Sequence, residues 1–203
     1  VTLLPKLLIA TNNRGKVGEY RYLLDDLAGE LLTPADLGIH TEVMETGDTL
    51  EDNASLKAVA LALESKLITL ADDSGLEVDI LGGEPGPFSA RYAGEDASDE
   101  DRISYLLSRM NGVPWTMRTA RFVCVIALST PEGKVEFCYG ECPGLITLEP
   151  RGKKGFGYDP VFYLPELDKT MAELPMEVKN RISHRGVAAR QVKDALNRLI
   201  GNG

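Results

Sequence analysis

The chain has 203 residues, 43% hydrophobic and 26% charged, the proportions of an ordinary folded protein with enough apolar material for a real core. Its formal net charge of −9 argues against a general nucleic-acid binder, which would present surplus Lys and Arg to a phosphate backbone. An anionic small-molecule substrate would then need a local basic pocket and a metal ion.

The longest apolar runs, Leu3–Ala10 and Ala58–Leu63, fall far short of the roughly 20 residues of a membrane-spanning helix. No membrane span is expected, and Val1–Ala10 reads as a first strand, not a signal peptide. Cys124, Cys138 and Cys142 cannot all pair with one another and lack CxxC spacing, so free thiols in a reducing cytoplasm are expected. No repeat or low-complexity tract divides the chain.

In chain order, Lys6–Ala10 is predicted as a buried strand and Thr11–Gly15 as a turn. Lys16–Leu27 follows as a helix with Val17, Tyr20, Leu23, Leu24 and Leu27 on one face. Thr49–Ser65 is a second helix, with Glu51 and Asp52 in its first turn and Lys66 at its end, as the helix dipole favours. Leu67–Ala71 is a short strand. Asp72–Gly94, rich in Gly, Pro, Asp and Ser, is predicted as a long loop with brief extended pieces. Ser98–Met110 is a helix capped by Ser98. Ala120–Leu128 and Lys134–Glu141 flank the Pro131–Gly133 turn as an antiparallel hairpin. Leu145–Leu148 and Val161–Tyr163 add short strands, and Val187–Ile200 closes the chain as one amphipathic helix. The mixture predicts an α/β fold with a mixed sheet.

Four segments could carry chemistry. Thr11, Asn12, Asn13, Arg14, Gly15 and Lys16 lie between a strand and a helix, where backbone N–H groups and the dipole attract anions; such turns are also ordinary caps. The segment is not a Walker A motif, because GxxxxGK[ST] is absent. Asp72 and Asp73 stand at the predicted end of a strand, where a carboxylate could hold magnesium through oxygen ligands, with Glu45 as a second ligand. Adjacent acids also simply stay solvated. Gly155–Pro160 offers close backbone approach at its glycines and two aromatics to stack on a flat base, or else a tight turn with core aromatics. Lys179–Arg185 gathers cations and His184 at the entrance of the last helix, though Lys and Arg runs are usually solvated and a lone His structural.

Taken in order, ATNNRGK (10–16), ETG (45–47), DNASLKA (52–58), ADDSGLEVDILGGEPGPFSARYAGEDA (71–97), GFGYDPVF (155–162) and SHRG (183–186) closely resemble the inosine triphosphate pyrophosphatase family. The long central stretch is the most specific; the first loop and SHR alone would be weak. The resemblance implies a single domain of two lobes, elongated around a long mixed β-sheet flanked by helices, with a nucleotide in the cleft between lobes, and usually a homodimer. It assigns Thr11, Asn12, Asn13, Arg14, Gly15 and Lys16 to triphosphate binding, with Lys57 a further phosphate contact. Asp73 matches the catalytic acid and metal ligand, Glu45 its metal partner, and Ser74 lies beside the substrate. Phe156, Gly157, Tyr158 and Asp159 match the base-binding segment, and Lys179, His184 and Arg185 the group that reads the purine. Asn12, Phe88 and Leu50 stand where many members carry Gly, Tyr and Phe, departures that remove no charged or metal-binding group.

The activity so implied is cytoplasmic, magnesium-dependent hydrolysis of ITP, dITP and XTP to the monophosphate and pyrophosphate, with Mn2+ a substitute metal, no direct nucleic-acid partner and no membrane. Lys16 would neutralise the leaving pyrophosphate and act with Asp73 in catalysis. Other readings stay open: a pyrophosphatase for modified pyrimidine or methylated nucleotides, as in Maf-like proteins, a nucleotide sensor without turnover, and a structural module whose polar loops only cap helices.

Overall fold

The computed structural model describes residues 6–27 and 29–201. The part of the expected first strand that precedes Lys6 lies outside the described residues. The chain forms two compact units, one of Val1–Asp73, Cys124–Gly140 and His184–Gly203, the other of Ser74–Val123 and Glu141–Ser183.

In the first unit, β1 (Lys6–Ile9) pairs in parallel with β2 (Glu30–Leu32) and with the start of β3 (Ile68–Val78). Leu7, Leu8 and Ile9 are all buried, as a parallel strand covered on both faces requires. Helix α1 (Arg14–Leu23) begins earlier than its apolar spacing suggests, because the Asn13 side chain accepts from the amides of Gly15 and Lys16. It also stops earlier, at Leu24. Helix α2 (Leu50–Ser65) matches its prediction, capped by Thr49, whose Oγ1 accepts from the Asp52 amide at 3.1 Å. Lys66 ends it in the left-handed conformation.

The second unit contains β4 (Pro85–Gly86), antiparallel to β3, and α3 (Asp99–Arg109), started by a Ser98–Asp101 capping box. β5 (Thr119–Ser129) and β6 (Val135–Ile146) are neighbours in the sheet, and so short a connection joins only antiparallel strands. The expected hairpin is present and longer than its apolar residues indicate. β7 (Phe162–Leu164) pairs antiparallel with β6 and with β8 (Lys169–Thr170), and α4 (Met176–Ile182) follows.

The strands form one mixed sheet, in the order β2-β1-β3-β5-β6-β7-β8 with β4 on β3. Each unit has its own core. Leu7, Ile9, Leu70, Ile126, Leu128 and Val192 belong to that of the first, and Leu76, Ile103, Leu106, Phe122, Ile146 and Phe162 to that of the second. Burial along β5 alternates from Thr119 to Val123 and is continuous from Cys124 to Ser129, the patterns of a strand covered on one face and then on two. Among the described residues no helix is long and apolar enough to cross a membrane. The three cysteines are buried thiols outside any disulfide.

Two expectations need correction. The expected loop begins only after Val78: β3 continues through Asp72, Asp73, Ser74 and Gly75, so the paired acids sit inside a strand, not at its end, while 79–94 has the expected turns and one brief extended piece, Pro85–Gly86. Strand pairing overrides the loop-forming composition. The expected closing helix is two, α5 (His184–Ala189) and α6 (Val192–Gly201). The break falls where the Gln191 side chain donates to the Tyr139 carbonyl at 2.6 Å and accepts from its amide at 3.3 Å, engaging the backbone of β6.

Candidate active site

On β3 successive side chains point to opposite faces, so Asp72 and Asp73 serve different neighbours. Asp72 faces α1 and α5. Its Oδ2 lies 3.0 Å from Lys16 Nζ and accepts from Arg185 Nε at 3.2 Å, and Arg185 Nη1 donates to Glu19 Oε2 at 2.6 Å. Asp72, Arg185 and Glu19 are all buried. Burial by itself would push the Asp72 carboxyl up, but Lys16, Arg185 and Lys57 outweigh it and hold the group well below the usual carboxylate range.

Asp73 faces α2. Its Oδ2 accepts from Asn53 Nδ2 at 3.2 Å and its Oδ1 lies 3.8 Å from Lys57 Nζ. The same ammonium donates to Glu45 Oε1 at 2.7 Å and to the Asp72 carbonyl at 2.8 Å, tying the Glu45 loop to the strand. Burial pushes the Asp73 carboxyl up; Lys57 pulls against this and Glu45 adds to it. Burial would lower the Lys57 ammonium, yet Asp73, Asp72 and Glu45 together raise it.

The Thr11–Lys16 turn uses its side chains on itself. Thr11 Oγ1 accepts from the Asn13 amide at 3.2 Å, and Asn13 Oδ1 from the amides of Gly15 and Lys16 at 2.9 and 3.1 Å. Asn12, Asn13 and Arg14 are exposed, while the first amides of α1 are capped by Asn13 itself. Ser74 follows Asp73 on β3, half-buried.

In the second unit, Gly155–Pro160 folds into a turn closed by its own acid. The Phe156 amide donates to Asp159 Oδ2 at 3.0 Å, Lys179 Nζ pairs with the same oxygen, and that ammonium lies 4.8 Å from the centre of the Phe156 ring. The Gly157 amide donates to Asp99 Oδ2 at 2.6 Å, and Tyr158 Oη to the Ser89 carbonyl at 3.0 Å. Gly155 has a φ of 76°, and any Cβ there would fall on the Asp159 carboxylate.

The structure therefore groups Lys16, Glu45, Lys57, Asp73 and Arg185 in one unit, and Phe156, Gly157, Tyr158, Asp159 and Lys179 in the other. His184, at the start of α5, is buried. Arg185, expected to read a purine, is engaged with Asp72 and Glu19. Sequence reasoning passed over Glu19, Asn53 and Asp99. Spacing held a clue for two of them: Glu19 lies three residues after Lys16 and Asn53 four before Lys57, each on the face of a residue already singled out.

Residues 7–195 match the profile of the Ham1 family. The chain belongs to that family. It is 50% identical over 194 residues to the dITP/XTP pyrophosphatase of Desulforamulus reducens, covering 96% of each chain. A protein of the same name from Geobacter sulfurreducens is 50% identical over 191 residues, covering 94% of this chain and 96% of that one. The solved Ham1 protein of Staphylococcus aureus is 43% identical, with a TM-score of 0.83 over 98% of this chain and 100% of that one. The mixed sheet flanked by helices is thus the architecture of Ham1 proteins.

Among the described residues no cluster of three or more His, Cys, Asp or Glu side chains forms a ready metal cage. Glu45 and Asp73 nevertheless suit magnesium, which is commonly held by one or two carboxylates with substrate phosphates and waters completing the shell. The raised Asp73 carboxyl, buried near a second acid, is a group that an added cation would relieve.

Proposed function

We propose that this Ham1 chain hydrolyses the aberrant purine nucleotides ITP, dITP and XTP to the monophosphate and pyrophosphate, keeping them from incorporation into DNA and RNA. The observation that carries this is the convergence of Lys57 on Glu45 and Asp73, with Lys16 on the adjacent Asp72, in a chain half identical to two proteins named dITP/XTP pyrophosphatase.

Glu45 and Asp73 would hold a magnesium ion, or manganese in its place, and such an ion screens phosphate charge and polarises the phosphorus. Asp73 orients a water and takes up its proton as that oxygen bonds to the α-phosphorus; the bond from the α-phosphorus to the bridging oxygen breaks and pyrophosphate leaves. The opening of α1, with Thr11, Asn12, Asn13, Arg14, Gly15 and Lys16, receives the phosphates. Lys57 holds the two carboxylates in register and adds a phosphate contact, and Ser74 borders the substrate. Phe156, Gly157, Tyr158 and Asp159, with Lys179 and His184, receive the base, while Arg185 supports Lys16 through Asp72.

Inosine and xanthosine carry an oxygen at purine position 6, which accepts from protein donors; adenine's amino group would leave those donors unpaired. We read the chain as a single domain, with β3, β5 and β6 each contributing residues to both units. We place the enzyme in the cytoplasm as a homodimer; its three buried thiols, outside any disulfide, suit a reducing compartment.

The test is product analysis with ITP, XTP, dATP and GTP plus magnesium. Pyrophosphate with IMP or XMP, and little turnover of dATP or GTP, is the expected result. Orthophosphate with the diphosphate would move attack to the γ-phosphorus, and binding without turnover would make the protein a sensor.

A further inference from the structure

We infer that Asn53 is a positioning residue that sets the Asp73 carboxylate and the Glu45–Gly47 loop in one fixed register. The inference rests on the hydrolase reading above, because it concerns the same two carboxylates.

Asn53 is completely buried on α2, one turn before Lys57 and on the same helix face. Its amide is spent at both ends. Nδ2 donates to Asp73 Oδ2 at 3.2 Å, and Oδ1 accepts from the Gly47 amide at 2.8 Å. A carboxylate can only accept and an amide N–H can only donate, so these partners require a side chain with one donor and one acceptor in fixed relation. The close approach also limits residue 47 to glycine: a Cβ there would collide first with Asp52 Cβ and would lie 2.9 Å from Asn53 Oδ1.

Asn53 and Lys57 thus form two rungs between the loop that carries Glu45 and the strand that carries Asp73. The rungs differ in kind. Lys57 is charged, and its hold on Glu45 and Asp73 weakens whenever a phosphate or a divalent cation competes for the same groups. Asn53 is neutral and keeps its two hydrogen bonds through that exchange of charge. By occupying Oδ2 it also leaves Oδ1 as the Asp73 oxygen turned to Lys57. The consequence for catalysis is orientation of the base, not affinity for the nucleotide.

Asn53→Asp keeps the size and the acceptor for Gly47 but replaces the donor with a charge facing Asp73. Thr49→Ala, which removes the cap of the same helix, serves as a control for stability loss alone. With ITP and magnesium we expect kcat of Asn53→Asp to fall about 100-fold with KM changed less than about threefold, and Thr49→Ala to stay within about threefold of the parent in both. Unchanged kcat in Asn53→Asp, or an equal loss in Thr49→Ala, overturns the inference.

A second measurement needs neither a variant, nucleotide nor metal. In the parent chain the Gly47 amide should exchange with solvent far more slowly than the neighbouring amides of the loop, and fast exchange there overturns the register role. A parent that releases no pyrophosphate from ITP sinks the hydrolase reading and this inference with it. An active parent with an equally active Asn53→Asp sinks the inference alone.

Discussion

Arg185 meets Asp72 across 113 positions of sequence, its Nε donating to Oδ2 at 3.2 Å in the interior of the first unit. Glu19 completes the arrangement on the other arm of the guanidinium, at 2.6 Å, so one cation stands between two buried acids. Lys16 shares the Asp72 oxygen. The network therefore ties the α1 turn to β3 and α5.

Removing the central cation leaves two carboxylates in a site from which water is largely excluded. Arg185→Ala should cost about 3–5 kcal/mol of stability, the usual penalty for stranding a buried charge. Urea unfolding monitored by circular dichroism checks this. A loss under about 1 kcal/mol would mean that water enters and solvates the acids.

Asp73 behaves oppositely to Asp72. Burial raises its carboxyl in the folded state, so stability is lost as the pH climbs from the unfolded value toward that raised value and the cost is complete above it. Asp73→Asn should lower kcat by about 10²–10⁴-fold while leaving stability at neutral pH equal to or above that of the parent. Near-normal turnover would remove Asp73 from the chemistry.

The depressed Asp72 carboxyl gives a definite sign in acid. Its contribution to stability is fully present above the unfolded value of about 3.9 and is lost as the pH falls through the lower folded value. Stability plotted against pH should therefore fall more steeply below about pH 4 in the parent than in Asp72→Asn, which has no carboxyl to protonate there. Parallel curves for the two proteins would show that Lys16 and Arg185 do not stabilise the charge.

Gly155→Ala tests the turn of the second unit. The added methyl would meet the Asp159 carboxylate that also holds Lys179 and the Phe156 amide, and the backbone at φ 76° disfavours any side chain. Turnover of ITP should fall, with kcat/KM down roughly 100-fold and most of the loss in KM if the segment receives the base. An unchanged KM would place the base elsewhere.

Lys57→Met removes the cation shared by Glu45 and Asp73, so the Asp73 carboxyl should rise further. The acid limb of the pH–rate profile should shift to higher pH. A shift to lower pH would show that another group governs that limb.

What the sequence determined by itself is the local structure and the set of chemical groups. Thr49 and Ser98 start their helices through bonds to residues three positions on, and such contacts are legible from spacing alone. The ordered motifs likewise marked Lys16, Glu45, Asp73 and the Gly155–Asp159 turn. Tertiary structure alone decided what Asp72 and Asp73 do. Their composition reads as loop, yet they lie within β3, which stands between β1 and β5 in the sheet, and the alternation of that strand sends one acid toward Lys16 and Arg185 and the other toward Asn53 and Lys57. A charge can be buried only where partners from distant segments meet it, and no local pattern encodes that meeting.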